Sequence, residues 1–435
     1  MGRQVWFLAY SQFRAGLDCW VGWNRAARSP SRLTVSRRCR PCYDFAVNPL
    51  GVYLQVPFCQ TKCTYCNFHT GVVAEARFAP YVDAVCAEIA GRREFYSGAG
   101  VELPAALDSA IVDSVYIGGG TPSLLDPAHL ARFMDTIRGS FACDLLEVTL
   151  EADPETITAE KAAAWFAAGI RRISFGVQSF CDEELRAAGR MHRRADVYRA
   201  VPLLREAGIA NISFDLIAGL PGQTAQSWRN SLEQVATLRP EHVSIYLLEV
   251  DEGSRLGLEI LQGGARYGAG RVPSEDEMAE FYETACAFLE RAGIRHYEIS
   301  NWARPGFESR HNLKYWRREP YLGFGAGAHS FSGTQRWANA HDAAVYVAAI
   351  GCGKLPVEQL ERVTRESALE EELFLGMRKL DGIDVAQIER EYGVAVEPRF
   401  ERLMSAGLVE REGSWVRLAP GKLSVANEVF VELMK

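Results

Sequence analysis

Val52-Tyr53-Leu54-Gln55-Val56-Pro57-Phe58-Cys59-Gln60-Thr61-Lys62-Cys63-Thr64-Tyr65-Cys66 is a short apolar run that leads into three cysteines spaced C-x3-C-x2-C. Three thiolates can hold three irons of a [4Fe–4S] cube and leave the fourth open, whereas the usual electron-transfer clusters take four cysteines. An open iron is a place where a small molecule can be ligated and then reduced. The triplet therefore points to cluster chemistry rather than electron storage. Its position makes it the loop after a strand.

Outward from this loop the chain alternates β-branched or aromatic runs with helical stretches. The runs are Val52–Val56, Ser114–Ile117, Glu147–Leu150, Arg172–Gly176, Asn211–Ile217 and His242–Leu248. Between them Tyr81, Val85 and Ile89, and again Val197, Val201 and Leu204 ahead of Gly208, fall on single helical faces. Strand starts separated by roughly 30 residues describe βα units with right-handed crossovers. Six such units make an α/β chain built on a partial (β/α)6 barrel, with a doubly wound open sheet as the competing architecture. The ends of the runs favour the barrel. Gly118-Gly119-Gly120-Thr121, Glu151, Gln178, Asp215 and Glu249 each follow or close a run, and in a parallel barrel those ends share one face, where active sites form. Any one of them is ordinary loop polarity; five behind a cysteine triplet converge on the iron.

Composition narrows the alternatives. The chain has 435 residues, a net charge of −7 and 11 cysteines with irregular spacing outside the triplet. That is too sparse for a disulfide scaffold and suits a reducing compartment, hence a cytoplasmic protein. No apolar run approaches about 18 residues, so a transmembrane helix is not expected. Residues 1–45 carry eight arginines against Asp18 and Asp44, which leaves −13 for the remainder. An acidic body argues against a nucleic-acid partner held by phosphate neutralisation. The basic segment reads either as an organellar transit peptide or as a disordered extension without function. Cys39 and Cys42 have no second Cys or His pair beside them to make a zinc site.

Beyond residue 250 the pattern loosens. A helix is expected from about Glu275 to Ala292, and a further strand from Ile294 to Ile299. Residues 300–345, rich in Gly, Asn, His and aromatics, read as an ordered surface over the barrel mouth. From Ser367 a helical face runs through Leu369, Leu373, Met377 and Leu380. Two shorter helices follow, then Trp415–Leu418 with Leu423–Val425 as a hairpin. This C-terminal helical, winged-helix-like domain carries Glu370, Glu371, Glu372, Glu389 and Glu391, which make it a packing or partner module rather than a phosphate binder. The expected domains are a basic extension (1–48), the barrel (49–300), a Gly- and aromatic-rich lid and connection (301–360) and the helical domain (361–435).

The triplet with Tyr65 inside it, followed by Gly118-Gly119-Gly120-Thr121-Pro122, resembles the radical S-adenosylmethionine enzymes. One electron from such a cluster can break a sulfonium C–S bond. Glycines at a strand end let backbone groups approach an ammonium where a Cβ would intrude. The stretches Tyr53–Cys59, Glu151-Ala152-Asp153-Pro154, Phe175-Gly176-Val177-Gln178-Ser179 and Asp215–Gly222 further resemble the oxygen-independent coproporphyrinogen III oxidase superfamily, over roughly residues 50–430. The resemblance implies a radical-SAM barrel with Cys59, Cys63 and Cys66 on the cluster. It implies Tyr53, Tyr65, Gly119, Gly120, Thr121, Glu151, Gln178, Arg190 and Asp215 against S-adenosylmethionine.

Within that superfamily the oxidases carry a fourth cysteine two residues after the third, where this chain has Phe68. His311-Asn312-Leu313-Lys314-Tyr315-Trp316, Tyr297–Trp302 and Gly325–Ser330 are instead similar to the HemW-type haem chaperones. The resemblance implies haem as a third ligand, with His311 able to ligate its iron and Tyr315 to ligate it or reach a propionate. The bland reading of His311 is a structural hydrogen-bonding residue. Implied partners are a respiratory acceptor haem protein and a low-potential electron donor, and peripheral membrane association is compatible. The implied function is to hold haem and hand it on. The alternative is oxidative decarboxylation of coproporphyrinogen III.

Overall fold

The computed structural model describes residues 49–434. The basic extension, with Cys39 and Cys42, lies outside the described residues. Six parallel strands pair in chain order: β1 (Pro49–Val56), β2 (Ile111–Gly119), β3 (Ala142–Ala152), β4 (Arg172–Gln178), β5 (Asn211–Ala218) and β6 (His242–Leu247). A doubly wound sheet would reverse its order at a switch point; this one does not, which leaves the barrel. Each of the six expected runs lies within or overlaps one strand.

Antiparallel strands extend both flanks, which the sequence reading did not anticipate. Beyond β6 lie β8 (Asn301–Ala303), antiparallel to it, and then β7 (Arg295–Glu298), antiparallel to β8, so the expected strand near 294–299 exists but pairs with β8 rather than with β6. Beyond β1 lie β9 (Tyr321–Phe324), parallel to it, then β10 (His329–Phe331), β11 (Gln335–Asn339) and β12 (Val357–Arg362).

Helices cover the outer face of the barrel because their apolar residues repeat on one side. Tyr81, Val85 and Ile89 of Phe78–Ala90, and Val197, Val201 and Leu204 of Arg194–Glu206, are all buried. With Phe133, Trp165, Phe175, Phe214 and Trp228 they form one continuous core, each such side chain stabilising the fold by about 1.5–3 kcal/mol. Glu88 is a polar exception inside it. Its carboxylate accepts from Gly325 N (2.9 Å), Asn339 Nδ2 (2.8 Å) and Tyr346 OH (2.5 Å), tying the outer helix to the end of β9 and to β11.

The segment 301–345 is not one lid. The helix Arg310–Trp316 lies at the opposite end of the barrel from the cysteines. His311 and Lys314 sit beside Gly51, where a Cβ would come within 3.0 Å of Lys314 Cδ and 3.3 Å of His311 Cε1. Ser309 Oγ and the amides of Arg310 and His311 donate to Glu147 on β3, and His311 Nδ1 is 3.1 Å from Ser114 Oγ on β2. Gly51, Ser114 and Glu147 share one register level. They stand five residues before the strand ends, about 16 Å at about 3.3 Å per residue. Buried polar groups in the N-terminal half of the strands draw this helix to the floor; β10 then runs from the mouth side down to the level of Gly51, and β11 returns.

The C-terminal region contains helices Arg365–Gly376, Val385–Tyr392, Glu397–Ser405 and Ala426–Leu433. Its hairpin pairs Val409–Glu412 with Trp415–Leu418, so the expected partner strand is misplaced: Leu423–Val425 is a 3-10 turn. Gly413, at φ 66°, makes the tight turn that the longer loop would have lacked. Leu380 falls beyond the helix that ends at Gly376, while Leu369, Leu373 and Met377 are buried as expected. Glu371 is not a surface repeller either. It is buried and bridges Arg318 (2.8 Å) and Arg336 (2.6 Å), fastening this region to the barrel.

Two tests follow from these contacts. Gly51→Val should lower stability by about 1–3 kcal/mol through overpacking against the floor helix. Gly139→Ala, in an exposed helical turn with nothing within 4 Å of its new Cβ, should not lower it; thermal melts of the two variants check this. Burial pushes Glu88 up from 4.5 to about 7 despite its three donors. The folded state therefore binds this proton more tightly than the unfolded chain, so its contribution is full below pH 4.5 and lost as pH rises through 7. The loss is at most about 3 kcal/mol. Glu88→Gln should flatten the decline of stability between pH 5 and 8 relative to the wild type, measured by denaturant titration at each pH.

Candidate cluster and cofactor site

The cysteine loop leaves β1 and is pinned at both ends. Cys59 N donates to Gly71 O (3.0 Å) and Gly71 N to Pro57 O (2.9 Å), closing the loop on itself. Thr64 N reaches Ala188 O (3.0 Å), Leu256 N reaches Thr64 O (2.8 Å), and Asn67 Nδ2 reaches Asp251 Oδ2 (3.1 Å). The loop thus rests on the segments that follow β4 and β6. From the β2 side, Gly120 N donates to Val56 O (2.8 Å) and Thr121 N to Phe58 O (2.7 Å).

All three cysteines are free thiols, Cys66 buried and the other two half-buried. Burial pushes the Cys59 thiol up to about 11, against hydrogen bonds from Thr70 and Thr121, and it raises Cys66 as well. The Cys66 charge also disfavours the Cys59 thiolate, and the Cys63 charge that of Cys66, which marks the three as close. Such a set is stable as thiolates only against concentrated positive charge. Among the described residues no three His, Cys, Asp or Glu side chains close on a point that would take a single ion. Three cysteine sulfurs match three corners of a cubane cluster.

Arg190 is the cation of the site. Its guanidinium donates to Asp153, to Gly176 O (2.8 Å) and to Cys63 Sγ (3.5 Å). His192 steadies it: Nδ1 lies 3.4 Å from Arg190 Nε, and Nε2 lies 3.0 Å from Val177 O. Burial, then the Arg190 charge, lowers His192 to about 4, so it stays neutral, with Nδ1 accepting and Nε2–H donating. Tyr65 is buried, and that burial raises its hydroxyl well above the ordinary value.

The strand ends meet above the loop. Glu151 accepts from Tyr116 OH (2.8 Å) and Gly119 N (2.9 Å). Asp215 sits deeper, buried, with Ser174 Oγ donating at 3.0 Å, and burial raises it. Gln178 is buried in the left-handed region at φ 62°, where a bulge separates β4 from β5. Holding a residue with a Cβ there costs about 1–3 kcal/mol and is typical of functional sites. Tyr53 OH donates to Gln55 Oε1 (2.7 Å) and its ring stacks on Tyr116. Glu249 alone of the five expected polar ends faces solvent.

Two features fit a polar ligand beside the cluster. A Cβ at Gly120 would come within 2.9 Å of Cys59 Sγ, and one at Gly119 within 2.6 Å of Gln55 Nε2, so the cradle exists only with glycine. Gln55 Nε2 is buried there without a hydrogen-bond partner, a donor that a carboxylate or carbonyl would satisfy. The sequence reading missed Gln55, Asp153, His192 and Thr70. A glutamine inside the apolar run Tyr53–Val56 was the one available signal; the other three matter through partners distant in sequence. His311 and Tyr315 are not at this site. His311 is fully buried at the floor, with Nδ1 on Ser114 and Nε2 3.0 Å from Tyr315 OH.

Residues 53–235 match the Radical SAM superfamily and residues 363–420 the HemN C-terminal domain. The chain is 36% identical to "Heme chaperone HemW" of Bacillus subtilis, over 87% of this chain and 98% of that one. It is 35% identical to the protein of that name from Mycobacterium tuberculosis, over 89% and 95%. The mouse protein "Radical S-adenosyl methionine domain-containing protein 1, mitochondrial" is 33% identical, over 71% of this chain and 66% of its own. Among solved structures, coproporphyrinogen III oxidase (HemN) from Escherichia coli superposes with a TM-score of 0.75 at 22% identity, covering 89% of this chain and 90% of that one. That likeness shows the fold. With near-complete coverage of its HemW relatives, the chain belongs to the HemW family of radical SAM proteins, a family that carries a [4Fe–4S] cluster and S-adenosylmethionine.

Proposed function

We propose that this protein is a haem chaperone: it binds haem and delivers it to an acceptor haem protein, a respiratory one in the fullest form of the reading. Cys59, Cys63 and Cys66 hold the cluster. The near full-length similarity to proteins named heme chaperones is the observation that carries this reading, and Phe68 at the fourth cysteine position of the oxidases supports it.

Tyr53, Tyr65, Gly119, Gly120, Thr121, Glu151, Gln178, Arg190 and Asp215 receive S-adenosylmethionine. The backbone of Gly119 and Gly120 and the carboxylate of Glu151 take its ammonium. Arg190 takes its carboxylate, and Gln55 Nε2 offers a second donor. Asp215 and Gln178 are suited to its hydroxyls. Bound together, cluster and sulfonium supply one-electron reduction at the barrel mouth, and the electron comes from a low-potential donor protein. The protein works in the cytoplasm, or in an organelle if residues 1–45 are a transit peptide. Among the described residues no helix is long and apolar enough to cross a membrane, and a peripheral membrane contact fits a respiratory acceptor.

Two experiments test the proposal. After anaerobic reconstitution, the wild type should carry about four irons per chain, and Cys63→Ser should lose most of the iron and sulfide while keeping its far-ultraviolet dichroism. Loss of nothing would remove Cys63 from the ligand set. Supplied with reductant, S-adenosylmethionine and coproporphyrinogen III, the reconstituted protein should yield no vinyl product, and haem-loaded protein should transfer haem to an apo-cytochrome. Vinyl product at many turnovers per chain would establish the oxidase instead.

A further inference from the structure

Arg190 is brought against Cys63 by its own chain segment. Thr64 N donates to Ala188 O (3.0 Å) and Thr64 Oγ1 to Ala187 O (3.4 Å), so the residues just before Arg190 are tied to the cysteine loop. The guanidinium then fills a gap at Gly176 on β4. A Cβ there would come within 3.0 Å of Arg190 Nη2 and 3.2 Å of Asp153 Oδ1. The side chain is only 8% exposed.

A guanidinium has five N–H groups, and among the described residues four of them are taken. Nη2 gives both of its protons, one to Asp153 Oδ1 and one to Gly176 O at 2.8 Å. Nε gives its single proton to His192 Nδ1 at 3.4 Å, and Nη1 gives one to Cys63 Sγ at 3.5 Å. The remaining proton is also on Nη1, the nitrogen that touches the sulfur. The three acceptors other than sulfur are themselves held. Asp153 Oδ2 accepts from Thr121 Oγ1 (3.3 Å), Gly176 O belongs to a strand, and His192 is fully buried with Nε2 on Val177 O. They fix the plane of the guanidinium, and the direction of Nη1 towards Cys63 is fixed with it.

Hydrogen bonds to the sulfurs are among the factors that set the reduction potential of an iron–sulfur cluster. An added electron makes the sulfurs more negative, so a donor favours the reduced form, and a charged donor does so most strongly. Burial strengthens the interaction further. We propose that Arg190 raises the reduction potential of the cluster through its hydrogen bond to Cys63 Sγ, with Asp153 and His192 as the positioning residues for that bond. This rests on the assignment of Cys63 as a cluster ligand above. It gives Arg190 a second task beside the carboxylate of S-adenosylmethionine, which the remaining Nη1 proton can take.

The test is a redox titration of the anaerobically reconstituted full chain without S-adenosylmethionine, with the reduced cluster followed by electron paramagnetic resonance. At a fixed potential the ratio of reduced to oxidised cluster in Arg190→Gln should fall about tenfold, a negative shift of about 59 mV for one electron. His192→Leu keeps the cation and removes the acceptor on Nε; it should shift the potential the same way by less. His192→Asn, which restores an acceptor, should return it towards the wild-type value. Arg190→Lys keeps the charge without the fork. It should also titrate below the wild type, and it keeps the test open should Arg190→Gln fold poorly. A wild-type potential in folded, cluster-loaded Arg190→Gln would overturn the proposal and leave the cluster assignment standing. So would wild-type potentials in both Arg190→Lys and His192→Leu, because charge without direction would then suffice. A wild-type chain that takes up no cluster would overturn both.

Discussion

Three glycines at the end of β2 set the closeness on which the site depends. The cysteine loop and the β2 turn share backbone hydrogen bonds at 2.7–2.8 Å, and Cβ atoms at Gly119 or Gly120 would overlap Gln55 or Cys59. Gly119 also adopts φ 120°, closed to ordinary side chains. Once the two loops meet, Cys66 is buried and Cys59 half-buried, and that burial disfavours both thiolates unless a positively charged cluster offsets it. The same approach aims Gly119 N at Glu151 and leaves Gln55 Nε2 facing the cradle.

The barrel has two chemically distinct ends. At the mouth, polar groups gather around the cysteines: Arg190 leans on Asp153 and His192 to stand beside Cys63. At the floor, polar groups serve each other. Glu147 accepts three hydrogen bonds from the start of the Arg310–Trp316 helix, and Lys314 pairs with Asp113 at 2.9 Å. Rings fill the space between, from Tyr53 to Tyr116 to His311 to Tyr315. A buried polar network of this kind is specific only when its members are satisfied, and the floor satisfies His311 completely.

The sequence disclosed what is local or periodic. The C-x3-C-x2-C spacing, the strand runs and the helical stripes at Tyr81 and Val197 are each readable within a few turns of chain, and the structure holds them. It concealed what depends on distant partners. Nothing near Glu371 indicates that Arg318 and Arg336 would bury it. The place of β7 at the sheet edge follows only from β8, which comes between it and β6. Leu423–Val425 has the composition of a strand, but a glycine turn at Gly413 had already closed the hairpin upstream. The floor position of His311 was hidden because Gly51, Ser114 and Glu147 carry that information from three separate strands.

The difference between the two ends of the barrel has a physical reason. In a parallel barrel the loops at the C-terminal ends of the strands are free to vary, while the opposite end is taken up with packing. Here the floor is closed by a helix whose removal would strand Glu147 and Asp113 without their partners, and an uncompensated buried carboxylate costs several kcal/mol. A large planar ligand entering there would first have to break that network. At the mouth it meets side chains already in contact with water, so docking displaces solvent rather than structure.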